Sequence, residues 1–497
     1  MRTLPTAVRT ALATTLTAVV LTAPLSAQTA SASDLDALRE QIRLLDQKLR
    51  VLERNSELKD ETAAADAKKL PKITVSDGRF EIASADGANS LRLRGLVQGD
   101  GRFYFDDANA AQDGFLLRRA RLIFEGKFAE RFSYVIQPEF AGSSVSILDA
   151  NVNLAITPDF NVQAGRFKTP VGLEQLQADP VAFFNERSVA TNLAPNRDVG
   201  LQVHGAVLEK RIGYQAALTN GVIDGGNSPT DALNNEGDFT VSGRLFATPF
   251  ANNKDSALKG LGFGVGGATG NYGGSIANSG TAAGSATSLL NTYRTDGQQT
   301  FFRYRTAATG TNTSFANTTL ANGNAFVISP QAYFYSGPLG ILAEYFTSST
   351  EVSIGSGATL NQQKIENTAY NLSVGYVLTG EDSSFKGVTP KTNFNPTAGT
   401  WGAFEIVARF ANVDIDDAAF TDPDGGGAAT SLAAANNATE VNTYGLGLNW
   451  YLSKTVRVNF NVFQNDFKLV PGNTVPVTGN ALSDDETVFI TRVQVSF

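Results

Sequence analysis

The charged side chains that could do chemistry in this chain are cations set at alternate positions. Arg92 and Arg94 are separated by one residue, as are Arg119 and Arg121, and Arg166 and Lys168. Alternate residues of an extended strand share a face, so each pair presents two cations on one side. A guanidinium offers five donors in a fixed fork and an ammonium three at a compact charge, and both suit oxyanions. Other chemistries lack their parts. The chain has no Cys, so thiol nucleophiles, disulfides and thiolate metal ligands are excluded. Its single His, His204, falls on the polar phase of an alternating run, where a structural or pore-lining role is expected rather than catalysis. Asp422-Pro-Asp424 lacks the ordered spacing of a calcium loop, and no cofactor or metal is expected. A net charge of −8 argues against a nucleic-acid partner.

The cations sit in segments of period two. In Leu91–Phe105, Leu91, Leu93, Val97, Phe103 and Phe105 fall on one face, and Arg92, Arg94, Gln98, Asp100 and Arg102 on the other. Val456, Val458, Phe460 and Val462 alternate with Arg457, Asn459 and Asn461, and the last strand repeats the pattern to Phe497. Segments of about ten residues match a tilted transmembrane strand, whose apolar face meets lipid and whose polar face meets a water-filled lumen. In residues 115–128, Ala120, Leu122, Phe124 and Phe128 are then assigned to lipid, and Arg119, Arg121, Glu125 and Lys127 to the lumen. Arg118 falls on the outward phase and is expected near a rim, because Arg at the bilayer midplane costs about 2–4 kcal/mol. Arg244, Arg409 and Arg457 also count as lumenal. Such a wall attracts anions; the alternative is cross-lumen pairing of these arginines with Asp100, Glu125, Glu139, Asp149 and Glu405.

Flanking composition completes the organisation. Arg2, Arg9 and the apolar run Ala11–Leu21 read as a secretory signal over residues 1–27. Leu35, Leu38, Ile42, Leu45, Leu49 and Leu52 form a heptad seam, read as a short coiled coil over residues 33–55. An Ala-, Asp- and Lys-rich stretch then suggests a periplasmic linker over residues 56–78. Residues 79–497, at roughly 26 per strand and loop, predict an all-β, antiparallel transmembrane barrel of about 16 strands. Gly270–Gly297, Thr306–Asn324 and Asp414–Thr439 have the composition of external loops.

Several stretches together resemble the phosphate-selective porins of the O/P family: Leu117–Phe128, Ala164–Glu174, Leu378–Glu381, Trp401–Arg409, Asn449–Tyr451 and the final strand. The resemblance implies a homotrimer of 16-stranded barrels in the outer membrane of a Gram-negative bacterium, with the coiled coil in the periplasm. It implies an inward third loop near residues 166–190 as the constriction and passage of small anions such as phosphate; the terminal aromatic Phe497 resembles the end of outer-membrane barrels generally, which implies recognition by the assembly machinery. On matched positions it implies roles for Arg118 and Arg119, Asp149, Arg187 and, more loosely, Arg303 and Arg305. Where phosphate-selective members carry lysines after Gly-Leu-Glu174, this chain reads Gln175-Leu-Gln-Ala-Asp-Pro180. Arg166 and Lys168 lie just upstream as partial substitutes. Passive anion passage, with a broad diffusion pore as the alternative, is the function expected, and enzymatic activity is not.

Overall fold

The computed structural model describes residues 32–67, 69–76, 78–105, 112–228, 238–277, 285–306, 318–355, 360–421, 431–434, 437–470 and 484–497. The signal segment lies outside the described residues. The chain divides into two units, residues 1–70 and 71–497.

In the first unit, helix α1 spans Ala32–Ala67. It runs twelve residues beyond the heptad seam, through most of the segment expected to be a linker. That stretch is rich in Ala, Glu, Asp and Lys, which carry good helix propensity apart from Asp. Arg54 on Glu57 at 2.9 Å continues the i,i+3 pairing seen in Arg43 on Glu40. All six seam residues are exposed along the single chain.

The second unit opens with a hairpin of β1 (Lys72–Ser76) and β2 (Arg79–Ala83), which extends the sheet along the first residues of β3 (Ser90–Tyr104). The closed ring itself begins at Ser90. It continues through β4 (Gly114–Phe128), β5 (Phe132–Glu139), β6 (Ser146–Thr157), β7 (Phe160–Lys168), β8 (Arg197–Val207), β9 (Ile212–Thr219), β10 (Thr240–Ala247) and β11 (Leu261–Gly273). Four short strands, β12 (Ser275–Ala277), β13 (Ser285–Thr287), β14 (Tyr293–Arg294) and β15 (Thr300–Phe302), form two separate hairpins. The ring resumes with β16 (Leu320–Ser336), β17 (Leu339–Ile354), β18 (Asn361–Val377), β19 (Ala403–Asp414), β20 (Ala438–Tyr451), β21 (Val456–Leu469) and β22 (Asp485–Ser496). Each strand pairs antiparallel with its neighbour, and β22 pairs back onto β3. The result is a closed 16-stranded barrel, which leaves no open sheet edge in the ring.

The outer phase is as the alternation predicts: Val97, Leu201, Leu245, Phe263, Leu372, Leu446, Val462 and Val493 are exposed apolar residues. The inner phase is only partly polar. On β17 to β21, Leu342, Phe346, Val352, Ile365, Val413, Val441 and Phe463 are inward and buried. Leu342 and Phe463 pack with Leu173, Phe183 and Phe184 of segment 169–196, and the others with Val171, Val189 and Leu193 of that segment and Tyr293, Phe301 and Phe302 of segment 288–305. Loops from one end thus line one wall of the lumen with an apolar core. The strand sequence alone cannot show this, because it depends on where the loops return.

The β22–β3 ladder that closes the ring ends in a tight backbone approach. Gly95 N–H donates to Phe497 O at 2.8 Å, and Phe497 N–H donates back to Gly95 O at 3.1 Å. A Cβ at residue 95 would strike the Phe497 ring. Gly95→Val is therefore expected to displace the ring and weaken the seam by about 1–3 kcal/mol. Heat-modifiable gel migration should show unfolding at lower temperature; migration identical to the parent would contradict this packing.

Candidate functional site: the guanidinium wall and the third long loop

The segment 169–196, between β7 and β8, reaches across the ring and is pinned by strands far from it in sequence. Short helix α2 (Leu173–Leu176) has its first amides held by the Glu344 carboxylate of β17, with Glu174 N–H to Oε2 at 2.7 Å. Arg457 donates to Ala182 O at 2.8 Å, Asn449 to Phe183 O at 2.9 Å, and Gln494 to Pro180 O at 3.0 Å. These contacts fix the loop backbone against β20, β21 and β22, so the carboxylates it carries have set positions.

Those carboxylates meet the arginines of the wall. Glu186 Oε1 accepts from Arg118 Nε at 2.7 Å, Arg492 Nη2 at 2.8 Å and Arg102 Nη2 at 3.2 Å, and Oε2 lies 3.6 Å from Arg119. Asp179 is paired with Arg121, with Arg187 at 2.7 Å and with Arg119 at 3.5 Å. Glu174 accepts from Arg409 at 2.6 Å, and Arg409 also donates to Asp296 at 2.8 Å. Asp100 chelates the fully buried Arg492 at 2.6 and 2.8 Å. Burial alone would raise the Asp179 and Glu186 carboxyls. Arg119, Arg187 and Arg121 hold the first well below the usual carboxylate range, and Arg118, Arg119 and Arg492 the second.

Arg118 corrects the sequence expectation. The β3–β4 register slips between Gln98↔Arg119 and Gly99↔Leu117, leaving Arg118 as the extra residue of a bulge. A bulge resets the strict alternation, so adjacent residues can turn to one side. Arg118 points inward onto Glu186 instead of outward toward a rim.

Towards the short-turn end lies a cavity of about 340 Å³. Arg92, Arg94, Arg121, Lys168 and Arg197 line it, with Asp149 and Asp179. Arg92 and Arg94, 37 % and 38 % exposed, share the single Glu125 at 3.2 and 2.8 Å. Arg197 grips Asp149 at 3.1 and 3.0 Å. Lys168 Nζ donates to Gln175 O at 2.7 Å and Gln177 O at 3.0 Å, so the lysine braces the loop.

The other sequence-derived candidates lie apart from this cavity. Arg166 is buried on Ser228 O at 2.6 Å and Leu148 O at 3.1 Å. Arg187 joins Asp179 and the Glu174 and Gln177 carbonyls. Lys127 is exposed beside the turn that ends β4. Arg303 is exposed, and Arg305 holds Ser431 at 2.6 Å; neither joins the Arg118–Arg121 group. Arg244 donates to Gln331 and stacks on Phe246. His204 Nε2 pairs with Asn153 Oδ1 at 2.8 Å. Arg197, Arg492 and Glu186 also belong to the site, although no sequence motif singles them out. Arg492 did fall on the polar phase of the last strand, and Glu186 stands beside the matched Arg187.

Residues 91–497 match the family described as phosphate-selective porin O and P. The chain belongs to that family. It is an outer-membrane porin, a passive channel and not an enzyme. Porin O of Pseudomonas aeruginosa is 24 % identical over 458 residues, which cover 86 % of this chain and 92 % of that one. Among solved structures, an anion-selective porin from Comamonas acidovorans aligns at TM-score 0.48 and 12 % identity, covering 82 % of this porin and all of that chain. OmpT of Vibrio cholerae aligns at TM-score 0.45 and 10 % identity, covering 86 % of this porin and all of that chain.

Two consequences follow from the buried charges. Glu186→Gln leaves four guanidiniums short of a counterion in a dry site and is expected to cost about 3–5 kcal/mol. Glu125→Gln, beside solvated arginines, should cost under about 1 kcal/mol. Urea unfolding in detergent measures both, and equal costs would contradict the burial difference. Because the Glu186 carboxyl is held low, its contribution is present at neutral pH and lost only as pH falls through that lowered value.

Asp224, in the 220–239 connection, has the opposite sign. It accepts from Tyr293 at 2.5 Å and Ser348 at 2.7 Å, yet burial pushes it up from 3.8 to about 6. Its stabilisation is complete below 3.8 and is lost as pH rises through about 6. Hydrogen-exchange protection of residues 288–302 should therefore fall between pH 5 and pH 7, values bracketing that about-6 midpoint. Asp224→Asn should remove the pH dependence, and a profile unchanged by the substitution would count against it.

Proposed function

We propose that this porin is an anion-preferring diffusion channel whose third long loop, 169–196, forms the constriction. The observation that carries the reading is a charge imbalance. In the pairs that line the ring and this loop, ten arginines share eight carboxylates. A lumen walled by low-dielectric strands focuses that excess charge, so anions concentrate and cations are repelled. Arg92 and Arg94, solvated and sharing one carboxylate, are the best placed to meet a passing anion. Conduction needs contacts weak enough to release, which half-exposed guanidiniums supply.

The solute class is small anions, phosphate among them, by analogy with the family. Broad anion preference is favoured over selection of phosphate, because residues 175–180 carry Asp179 and no lysine. A homotrimer is proposed from the same analogy, with the exposed heptad seam of α1 as a periplasmic three-way coiled coil. A seam of about three heptads is too short to associate stably alone and suits a chain whose barrels already assemble. Phe497, at the barrel seam, is proposed as the signal read by the assembly machinery.

Reversal potentials in planar bilayers under a potassium chloride gradient test the reading. Chloride should be the more permeant ion, and Arg92→Gln with Arg94→Gln should move the potential towards zero. A cation-selective parent channel would overturn it.

A further inference from the structure

The wall arginines are already occupied by anions, and those anions belong to the chain itself. Asp179 lines the 340 Å³ cavity and stands among Arg119, Arg121 and Arg187. One carboxylate oxygen meets Arg187 at 2.7 Å; the other meets Arg121 and, at 3.5 Å, Arg119. Lys168 lines the same cavity. This is the coordination that converging guanidiniums would give a free oxyanion: charge-assisted donors from several directions, at hydrogen-bond distance, in a place of low exposure. A phosphate cannot enter it without displacing a carboxylate tethered to the loop. The tethered group pays no translational entropy on rebinding, so it competes at high effective concentration.

From this we propose that Asp179 is the specificity-determining residue of the pore: a built-in carboxylate that fills the oxyanion site formed by Arg119, Arg121 and Arg187. This inference rests on the anion-channel reading and deepens it. Multiply charged oxyanions such as inorganic phosphate are kept out of the cluster and pass by way of the solvated Arg92 and Arg94. The loop does not depend on Asp179 for its position. Its neighbours are held by backbone carbonyls, Pro180 O to Gln494, Ala182 O to Arg457 and Phe183 O to Asn449. Replacing the carboxylate with an amide of the same shape therefore leaves three poorly solvated guanidiniums one counterion short, with Glu139 still 2.6 Å from Arg121 and Glu186 3.6 Å from Arg119, and an anion entering by the cavity that Arg121 lines can supply the missing charge.

The test is phosphate inhibition of chloride current through single channels of the full chain, parent and Asp179→Asn. The parent should be weakly inhibited. D179N should bind phosphate at least about ten-fold more tightly. Asp179→Glu, which restores the charge, should return to weak inhibition. Adding Arg119→Gln to D179N should reverse part of the gain. Equal phosphate sensitivity of parent and D179N, with heat-modifiable migration intact, would overturn the inference while leaving anion selectivity standing. Tight phosphate block of the parent would also overturn it, whether or not D179N folds. A cation-selective parent would instead remove the underlying reading.

Discussion

A group of guanidiniums enclosed by strands and loops needs counterions, and everything about the interior of this barrel follows from where they come from. Arg102, Arg118, Arg119 and Arg492 are brought together on β3, β4 and β22, where the ring closes. Their mutual repulsion in a place of little solvent would be costly without compensation. Glu186 supplies it from the third long loop and Asp100 from the wall. The same contacts that neutralise the cluster tie the loop inside the ring. Electrostatics and loop placement are therefore one constraint: a loop displaced outward would strand four arginines, and uncharged arginine positions would leave the loop with buried carboxylates.

From that constraint the lumen acquires two unlike halves. On the side of β17 to β21, the loop and segment 288–305 pack apolar side chains against apolar inner-face residues, as in a soluble core. On the side of β3 to β8, towards the short turns, the space stays open, and Arg92 and Arg94 there keep partial access to solvent. Part of the imbalance between cations and carboxylates falls on this open side, where Arg92 and Arg94 share Glu125. In the proposed channel, this is where an anion would meet guanidiniums loosely enough to leave again.

Much of the fold was legible in the residues because strand periodicity is local. Val97 against Gln98, Val493 against Arg492 and Phe460 against Asn461 all declare their faces within two positions. The strand total followed from length, since a closed barrel uses residues at a nearly fixed rate. Arg118 departs from the alternation because a bulge is a property of a strand pair, not of one strand. The helix outran its heptads because residues 56–67 favour helix by propensity without any apolar repeat. The site was harder to read. Glu186 and Arg492 stand 306 positions apart, and Lys168 bonds to carbonyls that sequence does not mark as acceptors. Asp179 was visible as a departure from the lysines of phosphate-selective relatives. Its place among three arginines became apparent only from the fold.

The claim that the loop carboxylates are the resident counterions of the wall is tested most directly by a crystal structure of the channel grown in phosphate. The expected result keeps Glu186 on Arg118 and Arg492 and Asp179 on Arg121 and Arg187, with any ordered phosphate beside Arg92 and Arg94. Phosphate seated among Arg118, Arg119 and Arg121, with both loop carboxylates turned away, would contradict it.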